Sequence, residues 1–101
     1  MREGRIDSRG VITVELPKTL CSADQQPRIT LDDSYATVGE ALHALNEKSP
    51  RAFDSVMDER GNVRRHVNVF LDGESIRYLK GLDTPTPSGS AILIITAISG
   101  G

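Results

Sequence analysis

The run Ala91-Ile92-Leu93-Ile94-Ile95 constrains this chain more than any other stretch. A short continuous apolar run of this kind predicts a strand with both faces covered or nearly so. Such a strand belongs in the middle of a sheet, beside the first strand. The chain then continues Thr96-Ala97-Ile98-Ser99-Gly100-Gly101. Paired glycines form a backbone thread without side chains, suited to close approach by a partner or to a narrow enzyme cleft. The plainer alternative is a frayed terminus of small residues.

A chain of 101 residues predicts one domain around a single modest core. Its composition, 38% apolar and 26% charged with a net charge of −2, is that of an ordinary soluble protein. No basic excess points to nucleic acid and no polybasic run points to an anionic membrane. No stretch approaches the roughly 20 apolar residues of a membrane-spanning helix. Met1-Arg2-Glu3-Gly4-Arg5 is not followed by the apolar core of a secretory signal. With a single cysteine, Cys21, no internal disulfide forms, and a cytoplasmic location is expected. Cys21 reads as a loop residue, with a reactive thiol as the alternative.

Along the chain, residues 1–9 read as a flexible leader. Ile12, Val14 and Leu16 alternate with Thr13 and Glu15, a half-buried strand that Pro17 ends. Arg28-Ile29-Thr30-Leu31 is a second short strand, paired most simply as an antiparallel hairpin. Thr37-Val38-Gly39-Glu40 fits a capping box, and Val38, Ala41, Leu42 and Leu45 form one apolar helical stripe. Ser49-Pro50 stops that helix. His43 lies off the stripe and reads as a surface residue. Residues 51–60, with Phe53, Val56 and Met57, predict a short helical turn. Val67, Val69 and Leu71 alternate with Asn68 and Phe70, and Asp72-Gly73 is a strong turn signal. Ile76, Tyr78, Leu79 and Leu82 supply further apolar residues through an irregular segment, and residues 84–89 form a stiff turn. Arg64, Arg65 and His66 read as a solvated strand edge, with an acidic-partner site as the alternative.

The predicted class is α+β. A hairpin, a crossover helix and a return to a strand parallel to the first is the β-grasp, or ubiquitin-like, arrangement, here a mixed sheet of four to five strands with one main helix on one face. The predicted organisation is a leader at 1–9, a β-grasp domain at 10–96 and an extended Gly-Gly tail at 97–101.

From about residue 10 to residue 101 the chain resembles the ubiquitin-like sulfur-carrier family, which includes ThiS, MoaD and CysO types. The resemblance is carried by residues 67–77, by Gly81-Leu82-Asp83-Thr84-Pro85, by Ser88-Gly89-Ser90 and by Ile92 through Gly101. The segment from Ser49 to Arg65 and the Ile76–Leu79 stretch are most similar to the CysO type. The chain departs from the family at Thr96, where many members have proline, and at Ser99, where many have alanine.

The resemblance implies that an E1-like adenylating enzyme of the ThiF or MoeB type uses ATP to activate the carboxylate of Gly101. A sulfur donor then displaces AMP to leave a thiocarboxylate, which a sulfur-accepting synthase consumes. It implies no catalytic side chain, no metal and no cofactor bound by the chain itself. The expected partner contacts are Ala97, Ile98, Ser99, Gly100 and, on the open sheet face, Phe70 with residues near Leu93 and Ile95. Extended, Thr96 to Gly101 spans roughly 20 Å. The acceptor pathway is cysteine or a secondary metabolite before molybdopterin, with thiazole last. The alternatives are a modifier joined to lysines by isopeptide bonds, the small subunit of molybdopterin synthase, and an interaction module with an incidental Gly-Gly.

Overall fold

A computed structural model describes residues 11–20, 27–31, 35–87 and 89–96. The leader at 1–9, Cys21 and the tail at 97–101 lie outside the described residues.

Five strands form one mixed sheet. They are β1 (Ile12–Glu15), β2 (Arg28–Leu31), β3 (Val67–Leu71), β4 (Glu74–Ser75) and β5 (Ala91–Thr96), in the spatial order β2-β1-β5-β3-β4. β1 and β5 run parallel, and every other neighbouring pair is antiparallel. β5 therefore sits at the centre beside the first strand, as its apolar run predicts. The alternation of β1 fixes the register: Ile12 and Val14 are fully buried while Thr13 and Glu15 face the other side. A one-residue slip would exchange these sets, which is why the register is strongly specified.

Helix α1 (Val38–Lys48) covers one face of the sheet. Its stripe of Val38, Ala41, Leu42 and Leu45 is wholly buried, and each such leucine contributes about 2–3 kcal/mol of burial. The Thr37 hydroxyl accepts from the Glu40 N–H at 3.2 Å. Glu40 reaches back one residue further than a standard capping box, accepting from the Ala36 N–H at 3.1 Å. Gly39 lies in a close approach: an added Cβ would sit 3.2 Å from the Leu82 carbonyl oxygen, so that neighbour would have to give by a few tenths of an ångström.

Ser49 closes one helix and opens the next. Its N–H donates to the Leu45 carbonyl at 2.8 Å, and its hydroxyl accepts from the Ala52 N–H at 3.3 Å. Pro50 then occupies the first turn of α2 (Pro50–Val56), where its missing N–H costs nothing. The short turn expected at 51–60 is thus a second helix, with Ala52, Val56 and Met57 in the core.

Asp72 and Gly73 link β3 to β4 with φ of 50° and 91°, the left-handed pair of a tight two-residue hairpin. Asp72 also fixes the start of β5: its carboxylate accepts from the Ala91 N–H, and its own N–H donates to the Ala91 carbonyl, each at 2.9 Å. The Thr84–Pro87 segment is bound across the start of α1. The Val38 N–H donates to the Thr84 carbonyl at 2.9 Å, and the buried Thr86 hydroxyl donates to the Tyr35 carbonyl.

One expectation is corrected. β5 is covered on one face only: Ile92 and Ile94 are buried, whereas Leu93 is 38% and Ile95 42% exposed. Both helices lie on the Ile92/Ile94 side, and among the described residues no helix or second sheet covers the other side of this central strand. Of the apolar supply at 76–82, only Ile76 is buried, with Leu82 packed against the core. Tyr78 is 84% exposed and Leu79 also faces solvent, because a 3-10 turn at Ile76–Tyr78 rotates them off the core.

Candidate functional site

The uncovered sheet face carries one registered row across all five strands. Arg28 pairs with Glu15, Glu15 with Leu93, Leu93 with Phe70, and Phe70 with Ser75. One step along, Asn68 lies opposite Ile95. Phe70, Leu93 and Ile95 therefore form a contiguous apolar patch, with Phe70 half-buried among its neighbours. The strand pleat places them there: each alternates with a core residue, Val69, Ile92 and Ile94.

The patch is bordered by an ion pair. Arg28 donates from Nε and Nη2 to Glu15 Oε2 at 3.0 and 2.5 Å. Both side chains are exposed, so the pair contributes about 0–1 kcal/mol. Both members of the pair, with Leu16, Pro17, Pro27 and Ile95 among others, line a groove of about 830 Å³. Thr96, the last described residue of β5, is among the residues that line it.

Of the residues singled out from sequence, Phe70 stands in this patch with Leu93 and Ile95. Ala97, Ile98, Ser99, Gly100 and Gly101 lie outside the described residues. The 51–60 segment does not cover Phe70, since α2 packs on the helical side against α1. Arg64 is committed structurally, donating to the Asp54 carbonyl at 2.8 Å, and Arg77 donates to the Arg65 carbonyl at 3.3 Å. His43 is exposed, its ring 5.4 Å from that of Phe53. Among the described residues no cluster of three or more His, Cys, Asp or Glu side chains is placed to hold a metal. No helix among them is long and apolar enough to cross a membrane.

The Glu15–Arg28 pair and the groove were not singled out from sequence. The signal for the pair was present: Glu15 and Arg28 are both polar positions of alternating strands in one hairpin. The groove left no such trace, because it depends on where β1 stops relative to β5.

A mixed five-stranded sheet with parallel β1 and β5 at its centre and α1 across one face defines a β-grasp, ubiquitin-like protein. The profile of the ThiS family matches residues 14–101, and the chain belongs to that family of sulfur carriers and ubiquitin-like modifiers. Small archaeal modifier protein 1 of Haloferax volcanii is 33% identical over 69 residues, covering 68% of this chain and 75% of that protein. Its crystal structure superposes with a TM-score of 0.77 at 29% identity, covering 91% of this chain and all of that one (100%). Sulfur carrier protein CysO of Mycobacterium tuberculosis is 26% identical over 92 residues, covering 89% of this chain and 98% of that protein. Its crystal structure superposes with a TM-score of 0.76 at 26% identity, covering 86% and 99%. Small archaeal modifier protein 3 of H. volcanii is 30% identical over 69 residues, covering 68% and 74%.

Proposed function

We propose that this chain is a sulfur-carrier protein acting as a protein cosubstrate in the cytoplasm, with no catalytic side chain of its own. An E1-like enzyme joins the Gly101 carboxylate to the α-phosphorus of ATP, releasing pyrophosphate. Hydrosulfide then attacks the acyl carbon of the adenylate and expels AMP, leaving a C-terminal thiocarboxylate. A synthase takes that sulfur as a nucleophile for cysteine, a secondary metabolite or a cofactor. The observation that carries this reading is the family match, which spans residues 14–101 and so includes both the β-grasp sheet and Gly101. The Phe70, Leu93 and Ile95 patch is the docking face. From Thr96, the five remaining residues reach about 17 Å, enough to enter a recessed active site.

The likeness to two small archaeal modifier proteins favours a second reading, in which the same adenylate is attacked by a lysine amine to give an isopeptide bond. One experiment separates the two. The chain is incubated with a purified E1-like enzyme, ATP and sulfide, and its intact mass is measured. The expected result is one oxygen replaced by sulfur on the C-terminal peptide, lost when Gly100 and Gly101 are deleted. Conjugate bands that require Gly101, with no thiocarboxylate, would replace the first reading by the second. Activation that survives the deletion would sink both.

A further inference from the structure

The ladder between β1 and β5 stops short of the end of β5. Thr13 donates its N–H to the Ser90 carbonyl at 3.2 Å. By the alternation of a ladder, Thr13 and Glu15 aim their main-chain groups at β5, and Ser90, Ile92, Ile94 and Thr96 aim theirs back. The registered pairs end at Glu15 and Leu93, whereas β3 pairs with β5 as far as Thr96. The next β1-side residue aimed at β5 is Pro17, which has no N–H for the Ile94 carbonyl. The Pro17 carbonyl accepts instead from the Leu20 N–H at 2.9 Å. Among the described residues the Ile94 carbonyl and the Thr96 N–H thus have no main-chain partner, and both residues line the groove.

A main-chain donor and acceptor spaced along one strand edge, between apolar walls, suit an extended peptide added as a strand. The chain's own tail is a poor occupant. It would have to reverse at Ala97-Ile98, which lacks the Gly, Asn or Asp of a tight hairpin. The groove is continuous with the docking face, since Leu93 and Ile95 belong to both. We propose that this notch receives an extended segment of the adenylating enzyme. That segment donates one N–H to the Ile94 carbonyl and accepts one hydrogen bond from the Thr96 N–H, with its side chains against Leu16, Pro17 and Pro27. This assignment rests on the sulfur-carrier reading, which supplies the enzyme. It adds a register: strand addition at residue 96 would hold the start of the tail extended as it enters the active site.

The test follows the Thr96 amide by hydrogen exchange in the free chain and with saturating E1-like enzyme, alongside Gly101-dependent ATP–pyrophosphate exchange. The Thr96 amide is expected to exchange freely alone and to be protected in the complex. Pro17→Ala supplies the missing donor to Ile94, extending the β1 ladder into the notch. It should leave the thermal midpoint unchanged or higher while weakening enzyme binding about fivefold, the scale of one main-chain hydrogen bond. A Thr96 amide already protected in the free chain would mean that the chain fills its own groove, and would overturn the proposal. So would pyrophosphate exchange without Thr96 protection, which leaves the sulfur-carrier reading standing. No exchange with an enzyme that activates its own carrier would remove that reading, and this proposal with it.

Discussion

Truncating Ile94 and Ile95 to alanine, one at a time, separates the two faces of β5. The residues are adjacent, identical and in the same strand, so β propensity and chain entropy cancel in the comparison. Ile94 is 1% exposed and packs beneath the helices, while Ile95 is 42% exposed on the open face. Removing the buried side chain loses its transfer free energy and leaves a cavity, about 3 kcal/mol within the usual 2–5 kcal/mol range. The exposed residue loses about 1 kcal/mol or less, since much of its surface is already hydrated. For a domain of this size each kcal/mol moves the midpoint by about 4–8 °C. Ile94→Ala should therefore melt roughly 12–24 °C below the parent, and Ile95→Ala no more than about 8 °C below. Thermal denaturation followed by circular dichroism reads both. In activation assays the order should reverse, with Ile95→Ala raising the KM for the carrier at temperatures where both variants are folded. Equal losses of stability would refute the open face, since they would require cover on both sides of β5.

The β3–β4 turn, which is bonded to the start of β5, and the loop before β3 give two further tests. Asp72→Ala removes the acceptor for the Ala91 N–H and places alanine at a φ of 50°, at a cost of about 1–2 kcal/mol; Asp72→Gly relieves the dihedral but not the lost bond, so urea midpoints should rank parent, Gly, then Ala. Asp58 accepts main-chain N–H groups from Asn62 and Arg60 at 2.9 Å each. The Asn62 N–H foremost, with the Arg60 N–H and the charges of Arg64 and Arg60, holds its carboxyl below the usual value, outweighing an opposing desolvation effect that is second in size only to the Asn62 bond. A depressed carboxyl stabilises the fold above its unfolded value of about 4 and loses that contribution as pH falls through the folded value. Asp58→Asn should thus be less stable than the parent at pH 7, with the gap closing in acid; a gap that widens in acid would count against the loop geometry.

Most of the fold was legible because each strand carries its own signal. Alternation in β1 and β3, the capping residues of α1 and the Asp72-Gly73 turn each specify local structure before any long-range contact is considered. The parallel placement of β5 followed from its apolar content and its position after a crossover helix. What hydropathy could not reveal was that Ile94 and Ile95 have different fates. They are the same residue type, and only the presence of helices on one side of the sheet distinguishes them. The exposure of Tyr78 and Leu79 has a related cause: an apolar residue at a 3-10 turn points where three residues per turn send it, and no sheet or α-helical period anticipates that.

Pro17 shows the same limit at the site. From sequence it ends β1, because proline cannot continue a ladder. In the structure it ends β1 while β5 runs on, paired with β3 as far as Thr96. The consequence falls on Ile94, far away in sequence, whose carbonyl loses the donor that any other residue at position 17 would supply. A proline read locally is a stop. Read with the register of a parallel neighbour, it leaves the Ile94 carbonyl and the Thr96 N–H without main-chain partners among the described residues. That second reading needs the pairing of Glu15 with Leu93, a contact between the two ends of the chain that no local pattern encodes.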